Sequence, residues 1–274
     1  MTLKKIIRYL RAVKESLSIQ DSPVSFYKRA TSSLVIWIFM CIYALTSLLR
    51  VNAYDNYNIS VNKEISTEYR FSDTVVGHSS VKSSDNLSAA AQMTLDRYNN
   101  ASKSLKNCAG WINIPKTRID YPLMFYSDNS YYLEHDPFGR EDKAGSIFID
   151  KDCEDWSGLV LIHGHHMKDG SMFGDLENYM DTEFANDNKY VYTVENGVSV
   201  KYRIFSIFTL DASKEGIDVS FSNNSELHNY VMGLYNRSFI KMDAPSSDKV
   251  IVLNTCSYNY ENAHLIVCAA KESL

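Results

Sequence analysis

Cys256 and His264 stand eight positions apart in "NTCSYNYENAHLIVC" (Asn254 to Cys268), with the hydroxyl residue Thr255 beside the sulfur. A second cluster lies upstream in "IHGHHMKDGSMFGDL" (Ile162 to Leu176), where His163, His165 and His166 follow an apolar run. A thiol with imidazoles is a residue set for acyl transfer. The thiolate attacks a carbonyl, an imidazole carries a proton to the leaving amine, and a donor steadies the developing oxyanion. Plainer readings compete: Cys256 as half of a disulfide, as a buried small side chain, or, with His163 and His165 on one strand face, as part of a zinc site.

What these side chains can do depends on the elements that carry them. "KVIVLN" reads as a strand with Cys256 at its exit, and "SYNYENA" can turn the chain into a returning strand, "HLIVCA". Cys256 and His264 then lie at the same end of adjacent antiparallel strands. A third strand, "GLVLIHG", leads directly into His165. Five further β-branched and aromatic runs, "GWINIP", "IDYPLMF", "GSIFID", "KYVYTV" and "VKYRIFSIFTL", bring the number to eight and predict a closed or nearly closed β-barrel. A helix is expected over Leu87 to Leu105, packed on the barrel, and a helical insertion over Ser225 to Phe239.

The N-terminal part has another character. Ala30 to Leu49 is 20 residues without a charge, enough at about 1.5 Å per residue to cross a hydrocarbon core of roughly 30 Å. It is longer than the apolar core of a cleaved signal peptide and lacks a convincing A-x-A site, so it reads as an uncleaved transmembrane anchor. Residues 1–29 hold seven Lys or Arg against Glu15 and Asp21, whereas the part from Arg50 onward is acidic overall. That asymmetry predicts a cytoplasmic leader and an exported bulk. Leu3, Ile6, Ile7, Leu10, Val13 and Leu17 fall at helical spacing among the leader's basic residues, as in a helix lying on the inner leaflet. Residues 50–86 are polar and Ser-rich and read as a stalk; residues 87–274 form the folded domain. With a net charge of −5, the chain has no obvious attraction for nucleic acid. The four cysteines beyond the span permit two disulfides, although a domain with so many core strands does not need them.

On these residues the chain resembles the class B sortases. The resemblance rests on "IHGHHMKDGSMFGDL" and "VLNTCSYNYENAHLIV" together, with "GWINIPKTRIDYPLMFYSDNSYYLEHDPFGREDKAGSIFID" as a barrel entrance, and spans about Ala89 to Lys271. It implies an eight-stranded sortase-type barrel with N-terminal helices and a helical insertion. It also implies a membrane-anchored cysteine transpeptidase of a Gram-positive cell surface, working without a cofactor. Its partners would be surface proteins bearing a C-terminal sorting signal and a peptidoglycan amine that resolves a thioester. By position, Cys256 matches the nucleophile and His165, directly after Gly164, the catalytic histidine; His166 occupies the variable place that follows. Thr255 matches the residue beside the nucleophile, where its side chain or backbone would line the oxyanion site. Asn254, His163 and Ser171 fall on the substrate-facing positions.

One departure stands out. Where the family carries a catalytic arginine on the return strand, this chain has His264, and no arginine follows Cys256. Losing a good oxyanion donor costs about 3–4 kcal/mol. His264 would have to act in the arginine's place, best in its protonated form. Otherwise the domain is a weak enzyme or a catalytically impaired, sortase-like binding module.

Overall fold

The computed structural model describes residues 37–50, 53, 64, 83–153, 155–257 and 261–272. It divides into two compact units, residues 1–60 and 61–274. In the first, residues 37–50 are helical, and Trp37, Phe39, Tyr43, Leu45 and Leu49 are all exposed. Among the described residues no helix is long and apolar enough to cross a membrane. The expected anchor begins at Ala30, so its first seven residues, the leader before them and most of the stalk lie outside the described residues.

The second unit is a closed barrel with strand order β1-β2-β3-β4-β7-β8-β6-β5. Its strands are β1 (Cys108–Asn113), β2 (Asp120–Phe125), β3 (Phe148–Ile149), β4 (Leu159–His163), β5 (Tyr190–Glu195), β6 (Val198–Asp211), β7 (Val250–Cys256) and β8 (Ala263–Lys271). All eight runs legible in the sequence are there, although "GSIFID" contributes a strand of two residues. Trp111, Ile112, Leu123, Ile162, Phe205, Val252 and Val267 are among the side chains that fill the core. Closure leaves no unpaired strand edge, which is how short strands of this kind avoid edge-to-edge association.

The first helix of this second unit, α1 (Ser83–Ala101), lies against β1, β5 and β6, beginning and ending four residues earlier than the sequence predicts. It is tied down by Arg97, which pairs with Asp120 at 2.5 Å; Asp120 also accepts from the Trp111 indole at 2.7 Å. Between a 3-10 helix (Gly174–Met180) and β5 runs a short α-helix, α2 (Thr182–Asp187), capped by Asp181 accepting from the Phe184 amide. The predicted insertion is α3 (Asn224–Asn236). Its start is a reciprocal cap: the Asn223 side chain accepts from the Glu226 amide, and Glu226 accepts from the Ser222 amide.

Two pairings position the site. β4 runs parallel to β7 with His163 opposite Asn254, and β7 runs antiparallel to β8 with Cys256 opposite His264. The end of β4 therefore meets the hairpin of β7 and β8, some ninety residues further along the chain, at one rim of the barrel.

Candidate active site

Side chains alternate faces along a strand. On β7 this puts Asn254 and Cys256 on one face and Thr255 on the other. Cys256 is exposed and Asn254 half-buried, whereas Thr255 is buried and its hydroxyl has no hydrogen-bond partner among the described residues. The Thr255 side chain thus points away from the thiol, and what this residue offers an acyl group on Cys256 is backbone. Cross-strand pairing then brings the His264 Nε2 to 3.9 Å from the Cys256 Sγ.

A line of contacts runs back from His264 across the three strands. Its Nδ1 is 2.7 Å from the Asn254 Oδ1. The Asn254 Nδ2 is 3.2 Å from the His163 Nδ1, and the His163 Nε2 is 2.9 Å from the Asp150 Oδ2. Phe148 on β3 stacks on the His163 ring at 5.1 Å and holds its plane. Burial raises the Asp150 carboxyl, but hydrogen bonds from His163, the Asp152 amide and Asn129 outweigh it and leave the group below the ordinary carboxylate value. Burial pushes the His264 imidazole below its ordinary value, and the neighbouring His163 adds to the effect.

The other two histidines are placed differently. His165, half-buried, donates from Nε2 to the Leu133 carbonyl at 2.8 Å, reaching the connection between β2 and β3 and not the sulfur. His166 donates from Nδ1 to the carbonyl of Cys256 itself at 2.9 Å, and its Nε2 lies 3.2 Å from Glu177. Ser171 is buried and turned onto Asp169, to which its hydroxyl and its amide both donate. Of the residues singled out in the sequence, the structure brings Cys256, His264, Asn254 and His163 into one line of contacts, and turns His165, Ser171 and the Thr255 hydroxyl elsewhere. Sequence reasoning passes over His166, which braces the nucleophile's own peptide, and Asp150, which anchors the line of contacts. Asp150 follows "SIFI" directly, but its partner His163 is fixed by the β3–β4 register, which a single sequence does not display.

Two glycines explain the "GHHMKDGSMFG" run. A Cβ on Gly164 would sit 2.7 Å from the Phe173 ring, and one on Gly174 2.5 Å from the Met167 carbonyl. The loop folds this closely on itself because neither residue has a side chain. Arg118 secures it from outside, holding Asp175 at 2.7 Å and the Asp169 carbonyl.

All five cysteines are free, which answers the disulfide reading. Cys153 and Cys268 are buried and Cys108 is partly so. Burial raises all three thiols, Cys108 to about 12 and Cys153 to about 11. Among the described residues no group of three or more His, Cys, Asp or Glu side chains is placed to hold a metal ion, so the zinc reading gains no support.

Residues 112–272 match the Sortase domain family. Sortase B of Listeria monocytogenes is 31% identical over 179 residues, covering 63% of this chain and 72% of that protein. The crystal structure of sortase B from B. anthracis superposes with a TM-score of 0.65 at 26% identity, covering 81% of this chain and 99% of that one. Clostridium perfringens sortase B gives 0.59 at 27% identity over 64% and 99%. With a domain match over more than half the sequence and a barrel shared with these relatives, the chain belongs to the sortase family, in class B.

Proposed function

We propose that this protein is a membrane-anchored transpeptidase that cleaves a C-terminal sorting signal through a thioester on Cys256 and passes the acyl group to a peptidoglycan amine. The observation that carries this reading is the contrast among the barrel's sulfurs. Cys256 is exposed with an imidazole 3.9 Å away, whereas Cys108, Cys153 and Cys268 are enclosed and hard to ionise. A thiol acts as a nucleophile only as thiolate, so exposure and an adjacent imidazole single out one of the four. Attack on the scissile carbonyl forms the C–S bond and breaks the C–N bond, with the proton leaving on the departing amine. The acceptor amine then reverses the sequence and frees the sulfur. The family's fold and the position of the motif support cell-wall attachment over simple hydrolysis.

The direct test is mass spectrometry of the full chain in detergent with a panel of sorting peptides. The expected result is an added acyl mass on Cys256, released by hydroxylamine. A blank panel, with peptide bound but never cleaved, would favour the impaired binding module that the missing arginine suggests.

The topology is tested separately. Protease added to intact protoplasts is expected to digest the barrel and spare the basic leader, because positive flanks stay in the cytoplasm. A protected barrel would reverse the orientation.

A further inference from the structure

We infer that His264, and not the family-matched His165, is the base that takes the Cys256 proton, held in its accepting form by a one-way chain of hydrogen bonds through Asn254 and His163 to Asp150. The inference rests on the thioester reading above. It gives the position of the missing arginine a different task from the oxyanion donor that the sequence suggests.

The direction of the chain follows from donors and acceptors. Asp150, as a carboxylate, only accepts, so the His163 Nε2 carries a proton and donates to it. The neutral His163 then has a bare Nδ1, which accepts from the Asn254 amide nitrogen. That orients the Asn254 oxygen toward His264, whose Nδ1 must donate to it. The His264 Nε2 is left with its lone pair facing the Cys256 Sγ. With His163 neutral, running the chain the other way would set a ring lone pair against the Asp150 carboxylate at 2.9 Å, two acceptors face to face. The proton positions are assigned by this matching, and each link depends on the next. The result is a thiol, an imidazole and a carboxamide in the order nucleophile, base, orienting group, a constellation that recurs on unrelated folds.

The surroundings favour the same assignment. The groups that face His264 are Cys256 and Asn254 on β7 and His163 on β4; its partner on β6, Leu210, is apolar. Beyond them lie Asp150, three bonds away, and His166 on the far side of the Cys256 peptide. Burial holds the His264 imidazole below its ordinary value, which suits a base and opposes a standing cation. His165 is committed to the Leu133 carbonyl.

The proton accounting closes. The Cys256 S–H proton moves to the His264 Nε2 as sulfur attacks the carbonyl carbon. The imidazolium returns that proton to the leaving amine when the C–N bond breaks. In the second half the incoming amine gives a proton to the Nε2, the C–S bond breaks, and the departing thiolate takes that proton back as the free thiol.

The test reads the thiol without any sorting peptide. The full chain in detergent is treated with iodoacetamide, and alkylation at Cys256 is followed by peptide-resolved mass spectrometry. His264→Ala and His264→Gln are expected to slow alkylation tenfold or more at about pH 6.5, and to leave it nearly unchanged at about pH 9.5, where a free thiol ionises unaided. Asn254→Ala should give a smaller loss confined to the same acid side. His165→Ala should leave the profile in place. The inference is overturned if His165→Ala reproduces the loss, or if both His264 variants alkylate like wild type at the lower pH. A sorting-peptide panel that stays blank while this pattern holds removes the transpeptidase reading and leaves the base assignment standing.

Discussion

Cys256→Ala is expected to remove thioester formation entirely while the barrel melts within about 0.5 kcal/mol of wild type, the usual range for an exposed side chain. The thiol is exposed at the exit of β7, and what packs on its backbone, the His166 bond to its carbonyl, does not involve the sulfur. Cys268→Ala provides the opposite case. Its sulfur is fully buried on β8, where Cys268 pairs with Val252, so truncation leaves a small cavity costing about 1–2 kcal/mol and retains activity. Thioester mass and thermal melting on the two variants check both halves. Equal loss of activity in the pair would mean that the two sulfurs serve one structural purpose and that Cys256 is not the nucleophile.

The second large effect is expected from a residue with no side chain. Gly164 lies between His163 and His165, donates its amide to the Asn254 carbonyl at 3.2 Å, and is covered by Phe173, which is fully buried. A methyl at 2.7 Å from that ring has nowhere to go, because the Phe173 amide is itself held by the His165 carbonyl at 2.9 Å. Gly164→Ala must therefore push the β4 exit away from β7, separating His163 from Asn254. A displacement of about 1 Å costs roughly 10²-fold in rate, and such overpacking about 1–3 kcal/mol in stability. Gly233→Ala is the control: an exposed site within α3 where an added Cβ meets nothing within 4 Å, so it should gain up to about 1 kcal/mol. If Gly164→Ala matches wild type in acyl transfer and in melting, the close packing at the β4 exit has no part in assembling the site.

The barrel was legible because each of its strands is written locally, in β-branched and aromatic runs bounded by Gly, Asn, Asp and Ser. Cys256 and His264 were legible as a pair for the same reason: the polar stretch "SYNYENA" separates two apolar runs, which pair antiparallel. The line through Asn254 to Asp150 was not. It depends on the parallel pairing of β4 with β7 and on the exact pairing of β3 with β4, registers that arise when distant segments meet. The start of α1 at Ser83 lies upstream of the apolar spacing from Leu87 onward on which the expected helix rests, so that spacing does not mark it. Thr255 shows the limit of carrying a residue over by position alone. Its place beside the nucleophile suggests a role for its hydroxyl, but strand alternation turns that hydroxyl to the other face.

The order of strands around the barrel also governs how the domain is completed. β7 sits between β4 and β8, and β8 closes onto β6, although β7 and β8 come last along the chain. A chain emerging N-terminus first can pair β1 with β2 and β5 with β6 early, but it must hold β4 and β6 as open edges until the final hairpin inserts. Such long-range pairing is slow, and open edges are adhesive while they last. The thiol and its imidazole both ride on that closing hairpin. The reactive sulfur is consequently created in the step that seals the fold, so an unfinished chain has no assembled nucleophile with which to capture a peptide prematurely.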